Sequence, residues 1–171
     1  MKLVILVCLL LYSCAKKENT IINPLHGSWL MKEIHYIYPD STYSQPQAFT
    51  GRFLFTKNHY SIMYNPWTNE RIPFQILSKP SDAEILASFK TIVFNSGSYL
   101  QSDSTITSTA DIAKVPGFEG GKQFYRYKIT GDQLDITMFD ETYPDGKKPD
   151  WYGKLNVRFV LQREELLAEG N

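Results

Sequence analysis

The stretch QFYRYKITGDQLDITMF (residues 123–139) decides the fold, because it predicts a β-hairpin. Two runs rich in aromatic and β-branched residues, 123–129 and 133–139, flank Thr130-Gly131-Asp132. A short connection with a central glycine is typical of the turn between two antiparallel strands. Whatever the rest of the chain forms, this segment favours an antiparallel sheet.

The same arrangement of short runs around turn residues recurs along the chain. Asn58 and Asp103 each mark the centre of a further turn between two such runs. In residues 155–162, the apolar side chains of Leu155, Val157, Phe159 and Leu161 alternate with the other four residues, as expected for a half-buried strand. Polar or proline-containing loops are predicted at residues 39–47, 113–121 and 142–152. The predicted strands are residues 27–36, 52–56, 60–64, 72–77, 97–101, 105–109, 123–129, 133–139 and 155–161, of which 72–77 is a short strand or an edge segment.

One segment departs from the β pattern. Ser81 is followed three residues later by Glu84, which forms the capping-box signature of a helix start. The apolar residues that follow recur at helical spacing, at Ile85, Leu86, Phe89 and Ile92. The sequence therefore predicts one short helix at about residues 82–90.

Roughly eight strands joined in chain order predict an all-β, antiparallel up-and-down barrel. Closing the sheet on itself removes the exposed edges that an open antiparallel sheet would leave. An eight-stranded barrel is either filled by its own side chains or holds one small ligand. A two-sheet sandwich is the alternative architecture. We assign the barrel domain to residues 25–165 and a C-terminal tail to residues 166–171.

Composition narrows the class of protein. The chain carries 18 Lys and Arg against 18 Asp and Glu, so its formal net charge is zero. No basic patch is present in the sequence, which argues against a nucleic-acid partner. Eleven Tyr and ten Phe favour strands over helices.

The N-terminus reads as an export signal covering residues 1–13. Lys2 precedes an apolar stretch at residues 3–11, and a small residue stands before Cys14. Nine residues span only ~14 Å as a helix, which is too short to cross a hydrocarbon core of ~30 Å. A transmembrane anchor is therefore not expected.

Leu11-Tyr12-Ser13-Cys14 resembles the lipobox of bacterial lipoproteins. The resemblance implies that cleavage follows Ser13 and that Cys14 carries a diacylglycerol thioether and acyl chains such as palmitate. Cys8 would be removed with the signal, which leaves Cys14 alone and no disulfide in the mature chain. The alternative is an ordinary signal peptide followed by an incidental cysteine.

Residues 14–24 then form a short polar tether to the membrane. Ala15 is not Asp, which under enterobacterial sorting rules favours the outer membrane. These features predict a lipid-anchored protein of the bacterial cell envelope.

Four segments resemble signatures of the lipocalin-like domain, which is known largely from bacterial envelope proteins. They are Leu25-His26-Gly27-Ser28-Trp29-Leu30, Gly97-Ser98-Tyr99, the segment of residues 126–134, and Phe159-Val160-Leu161-Gln162-Arg163. The resemblance implies that Trp29, on the first strand, and Arg163, on the last, meet where the barrel closes. An Arg over an indole is worth ~0.5–2 kcal/mol.

Aromatic side chains supply the candidate ligand pocket. Tyrosine offers a flat apolar ring together with a hydroxyl that can orient a ligand. Arg126 could meet a carboxylate or phosphate head group at a pocket mouth. The other reading is that these rings simply fill the core of the barrel. The candidate pocket residues are Phe53, Phe55, Tyr99, Tyr125, Arg126 and Tyr127.

Catalytic and metal-binding motifs are not found in the sequence. His26, His35 and His59 lack metal-ligand spacing, and no Gly-x-Ser-x-Gly nucleophile motif occurs. His35 shares one face of a regular strand with Glu33, so it faces either the barrel interior or solvent. Four acidic residues after the hairpin suggest a weak Ca²⁺ site or a solvated loop: Asp140, Glu141, Asp145 and Asp150. We therefore predict no cofactor, no metal and no enzymatic activity.

Two functions remain open from the sequence. The first is a membrane-tethered barrel that binds a small hydrophobic or amphiphilic ligand. The second is a structural or interaction protein with a filled barrel, for which Trp67 and Trp151 would be exposed aromatic anchors for an envelope protein partner.

Overall fold

The computed structural model describes residues 23–48, 50–66 and 71–164. These residues form nine strands and one helix. The elements are β1 (Gly27–Ile37), β2 (Thr42–Gln45), β3 (Gly51–Phe55), β4 (His59–Tyr64), α1 (Asp82–Phe89), β5 (Val93–Gln101), β6 (Thr105–Ala113), β7 (Lys122–Thr130), β8 (Gln133–Thr142) and β9 (Asn156–Arg163).

The sheet closes on itself through the pairing of β1 with β9. Strands β1 and β3–β9 form the ring, each antiparallel to its neighbours. The predicted eight-stranded up-and-down barrel with one short helix is confirmed, and the sandwich alternative is excluded.

The ninth strand lies within a region that was predicted as a loop. β3 pairs only with residues 27–30 of β1, so the second half of β1 needs another neighbour on that side. β2 supplies it by pairing with Ile34–Ile37. The prediction for residues 39–47 was wrong here because β2 is polar and only four residues long, too short for an alternation pattern to be recognised.

Residues 72–77 do not form a strand, so that prediction was also wrong. Ile72 and Leu77 are 87% and 81% exposed, and the segment belongs to the long connection between β4 and β5. Strand β5 instead begins at Val93, four residues before the predicted start. Apolar composition alone was misleading here, because these side chains have no sheet neighbour.

Helix α1 matches its sequence prediction. The Ser81 hydroxyl accepts from the Glu84 amide, and the Glu84 carboxylate accepts in return from the Ser81 amide. This reciprocal pair satisfies two backbone donors that a helix start otherwise leaves free. The apolar face of the helix is nevertheless exposed: Ile85, Leu86 and Phe89 are 49%, 59% and 45% accessible.

Three β-bulges shift the side-chain phase along β1, β6 and β8. The extra residues are Lys32 in β1, Asp111 in β6 and Phe139 in β8. Each extra residue reverses which face of its strand the following side chains occupy. Opposite the β6 bulge, a Cβ on Gly97 would lie 2.0 Å from the Thr109 carbonyl oxygen, so only glycine fits there.

The two ends of the barrel differ in their connections. One end carries the tight turns at residues 56–58, 102–104 and 131–132, and Asn23 and Arg163 lie there; we call it the closed end. We call mouth the opposite end, which carries the long connections at residues 65–92, 114–121 and 143–155. The hydrophobic core occupies the interior from the closed end upward, and Trp29, Phe53 and Phe159 are almost fully buried.

Candidate binding site at the mouth of the barrel

Trp29 and Arg163 lie together at the closed end. The Arg163 guanidinium carbon is 4.1 Å from the centroid of the Trp29 ring. The same guanidinium donates to the carbonyl oxygens of His26 and Pro24 at 2.9 and 2.6 Å. The indole N–H donates to the Leu25 carbonyl oxygen at 2.8 Å. The segment before β1 is therefore tied across the end of the barrel.

Four of the six predicted pocket residues lie in the packed core. Phe53, Phe55, Tyr99 and Tyr125 are each less than 9% exposed. The Phe53 ring is 5.0 Å from that of Phe159, and the Phe55 ring is 5.5 Å from that of Tyr99. These distances are those of rings in contact, so the side chains fill the interior here.

The other two predicted pocket residues lie elsewhere. Arg126 is exposed on the outer face of β7, with its guanidinium carbon 4.1 Å from the centroid of the Phe139 ring. The Tyr127 hydroxyl is at the closed end, where it donates to the Ser102 carbonyl oxygen and accepts from Gln101. The structure thus does not bring the six predicted residues together around one cavity.

A cavity of about 220 Å³ opens at the mouth instead, between the ends of β5, β6, β7 and β8. Its walls are mainly apolar, and its floor carries amide and carboxylate groups. The lining residues are Ile92, Val93, Phe94, Asn95, Ala113, Lys114, Val115, Phe118, Gln123, Glu141 and Tyr143.

The floor of the mouth cavity is a hydrogen-bonded chain of side chains. Gln123 donates from Nε2 to Glu141 Oε2 at 2.7 Å. Its Oε1 accepts from the Tyr125 hydroxyl at 2.7 Å and from Asn95 Nδ2 at 3.2 Å. Asn95 Oδ1 is buried and has no hydrogen-bond partner among the described residues. An acceptor in this state costs about 1–3 kcal/mol.

Burial shifts the titration of the groups around this floor. Burial raises the pKa of Glu141, and the neighbouring Asp140 raises it further, while the hydrogen bond from Gln123 lowers it. Burial also raises the pKa of Tyr125 well above its usual range, so this hydroxyl stays protonated as a donor. At the rim, burial lowers the pKa of Lys114. The Lys114 ammonium donates to the Ile92 carbonyl oxygen and lies 4.0 Å from the Phe89 ring centroid.

The groups considered for metal binding do not form a cluster. Within residues 23–48, 50–66 and 71–164, no group of three or more His, Cys, Asp and Glu side chains is placed to hold an ion. Asp140 pairs with Lys148 on the outer face of β8, away from Glu141. His35 pairs with Glu33 at 2.9 Å, outside the barrel, because the bulge at Lys32 turns this half of β1 over. No described helix is long and apolar enough to cross a membrane.

Of the floor residues, Tyr125 was among the predicted pocket residues, whereas Gln123, Glu141 and Asn95 were not, for different reasons. Gln123 follows simple alternation with Tyr125 and Tyr127 in β7, so it was within reach. Glu141 was not. Simple alternation from Leu134, Ile136 and Met138 predicts that Asp140 faces inward, and only the bulge at Phe139 turns Glu141 inward instead. Asn95 lies in the first four residues of β5, which precede the predicted start of that strand at residue 97.

Several further predictions concern residues away from this cavity. Cys14, the predicted signal peptide, and Trp67 lie outside the described residues. Trp151 is half-buried in the connection between β8 and β9. A second cavity, of about 410 Å³, lies outside the barrel between residues 71–74 and helix α1.

Comparisons with known proteins identify the family to which this chain belongs. The model of the lipocalin-like domain family matches residues 26–150, which include β1–β8 and α1. No curated protein matches the sequence significantly. Among solved structures, an uncharacterized protein from Bacteroides eggerthii matches with a TM-score of 0.41 and 12% identity, over 81% of this chain and 98% of that one. The family match spans most of the barrel. The chain therefore belongs to the lipocalin-like domain family.

Proposed function

We propose that this protein is a lipid-anchored envelope protein whose barrel binds a small amphiphilic ligand at its mouth. The lipocalin-like barrel is typically a binding fold and not an enzyme. The observation that carries the proposal is the mouth cavity, with apolar walls above a floor that includes an unpartnered buried acceptor. Small-ligand sites have this composition, with few polar groups among apolar side chains.

The filled interior limits the ligand. Aromatic rings occupy the barrel from the closed end to about its middle, where Phe53 and Phe159 contact each other. A long acyl chain therefore has no channel along the barrel axis. The ligand is held at the mouth and is small.

The anchor and the mouth belong to opposite ends. The described chain begins at Asn23, whose side chain donates to Gln101 at the closed end. A tether to Cys14 would therefore start at the closed end, and the mouth is the opposite end of the barrel.

Native mass spectrometry of the full chain, purified gently from bacterial cells, tests the binding function. We expect a co-purified small molecule of defined mass. Ala113→Phe places a ring in the mouth cavity and should release that molecule. Ile112→Phe is the matched control, because Ile112 is 61% exposed on the outer face of β6 and should leave the ligand bound. Equal occupancy in both variants would contradict the mouth as the site.

Lipidation is tested separately, by palmitate labelling and membrane fractionation of the full chain. Cys14→Ser should abolish the label and release the protein from the membrane fraction. Cys8→Ser is the control, since Cys8 lies within the predicted signal peptide, and should leave the label unchanged. Labelling that persists in Cys14→Ser would refute the anchor.

The second candidate function is an interaction protein. It is favoured by the apolar side chains that the long β4–β5 connection leaves exposed, among them Ile72 and Leu77. A wild-type chain that carries no small molecule, together with loss of a co-purifying protein in the Trp67→Ala, Trp151→Ala double variant, would favour this reading.

A further inference from the structure

The chemistry of the mouth cavity follows from the one carboxylate in its lining, the half-buried Glu141. Glu141 only accepts hydrogen bonds when ionised, so the Gln123 amide must turn its NH₂ group toward it. The Gln123 carbonyl oxygen then faces the other way, where the Tyr125 hydroxyl and Asn95 Nδ2 both donate to it. One carboxylate thereby fixes the orientation of all the side-chain amides in this hydrogen-bonded floor.

The last side chain in this series of hydrogen bonds, Asn95, supplies a second acceptor. If the Asn95 amide were reversed, its oxygen would lie 3.2 Å from the Gln123 carbonyl oxygen, and the two would repel. Asn95 Oδ1 is therefore held as the atom without a partner among the described residues, in a side chain only 4% exposed. The floor thus offers acceptors, at Asn95 and at Glu141, and a matching ligand must bring donors.

The side chains around this floor favour a cation over a neutral donor. Glu141 has no ion-pair partner in the part of the chain that the structure describes. Lys114 is the cation of the cavity lining, but it is engaged with the Ile92 carbonyl oxygen and the Phe89 ring. Phe118 and Tyr143 form an edge-to-face pair in the wall, with ring centroids 6.4 Å apart. These rings give the apolar part of a ligand a surface to pack against.

We propose that the mouth cavity binds a small primary amine as its ammonium ion, with the N–H donors on Asn95 Oδ1 and Glu141 and the apolar part against Phe118 and Tyr143. This inference rests on the proposed binding function and names the class of ligand. The cavity, of about 220 Å³, suits a small amine.

The environment of Glu141 supports the assignment. Burial raises the pKa of this carboxyl because its charged form loses solvation. A bound ammonium would restore the favourable electrostatics that burial removes, and would satisfy the unpartnered oxygen of Asn95 as well.

The test uses three ligands of similar size and different charge: benzylamine, benzyl alcohol and benzoate. Each is titrated into the full chain labelled with ¹⁵N, and the side-chain NH₂ signals of Asn95 and Gln123 report binding at the floor. We expect benzylamine to bind at least tenfold more tightly than benzyl alcohol, and benzoate to bind most weakly. In Glu141→Gln, the preference for benzylamine over benzyl alcohol should fall to below threefold.

Asp140→Asn is the matched control. It removes the same charge one residue away, but from the outer face of β8, where Asp140 pairs with Lys148. The amine preference should change little in this variant, because the Asp140 charge acts on Glu141 less than burial does. Equal or tighter binding of benzyl alcohol or benzoate would overturn the amine assignment while leaving a binding site in place. If benzylamine leaves the Asn95 signal unmoved, the assignment fails, and a co-purified ligand released by Ala113→Phe would still support the proposed function.

Discussion

The closed end and the mouth of this barrel are made from the same strands, but they differ in how well their polar groups are paired. At the closed end, the Trp29 indole has its hydrogen bond, and the Arg163 guanidinium stacks on the ring and donates to two carbonyl oxygens. At the mouth, Asn95 Oδ1 is buried without a partner among the described residues, and the Glu141 carboxyl is desolvated. The comparison indicates that stability is concentrated at one end and unused binding capacity at the other.

Trp29→Ala should have the largest effect. The side chain is fully buried, so its removal leaves a large cavity and should lower the free energy of unfolding by about 3–5 kcal/mol. Tyr143→Ala removes an aromatic ring at the mouth that is 40% exposed, and should cost about 1 kcal/mol. Urea denaturation of the three proteins measures both losses. Equal losses would show that the mouth is packed as tightly as the closed end.

Arg163→Met should lower the free energy of unfolding by about 1–2 kcal/mol, because it removes a stacked cation and leaves the His26 and Pro24 carbonyl oxygens to solvent. Arg126→Met is a close control. Arg126 lies at the same 4.1 Å distance from a ring centroid, that of Phe139, but on the exposed outer surface. Its replacement should cost about 0.5 kcal/mol. The two losses, compared by thermal unfolding, should not coincide.

Glu141→Gln should stabilise the protein by up to about 1 kcal/mol at pH 7, because it removes a desolvated charge while keeping the shape of the side chain. The pKa of Glu141 is raised in the folded state, so its charge opposes folding above the unfolded pKa. The gain should therefore shrink as the pH falls and the wild-type carboxyl becomes protonated. Asp140→Asn, which breaks the outer ion pair with Lys148, should instead be neutral or slightly destabilising. A loss of stability in Glu141→Gln at pH 7 would contradict this account of the mouth.

Glu164, beside the closed end, should show the smallest effect and the opposite sign. Arg52 donates to both of its oxygens at 2.6 Å and Ser28 also donates, which lowers the pKa of Glu164 from 4.5 to about 2. This pair contributes stability above pH 4.5 and loses it as the pH falls toward 2. Because the pair is partly exposed to solvent, Glu164→Gln should cost below about 1 kcal/mol at pH 7. The cost should decline between pH 4.5 and pH 2, and a cost that grows there would refute the assignment.

The parts of the fold that sequence predicted are those with local signals. Ser81 and Glu84 define the start of α1 within four residues, and Gly131 marks the turn between β7 and β8. The closed barrel followed from strands in chain order, because an open sheet of that size would expose its edges. Trp29 and Arg163 were paired through a family resemblance, not through periodicity.

The candidate site was less predictable, because its floor depends on strand irregularities. Alternation places Asp140 inside and Glu141 outside, and the bulge at Phe139 reverses them. Aromatic residues such as Phe53 and Tyr99 satisfied the composition of a pocket, but the structure packs their rings within the core. Whether a ring lines a cavity or fills it depends on the neighbouring strands, which a single sequence does not display.

The bulge at Lys32 also bears on how this chain tolerates change in length. Its extra residue separates a first half of β1, with Trp29 and Met31 inside, from a second half, with Ile34 and Tyr36 inside. Deleting Lys32 would restore a regular strand in which Met31 and Ile34 are two positions apart, so both would still face the core and Glu33 would still face outward. The loss of this one residue therefore preserves the inward and outward positions of both halves of β1, and homologous chains that lack it should keep the same alternation in the four positions that follow.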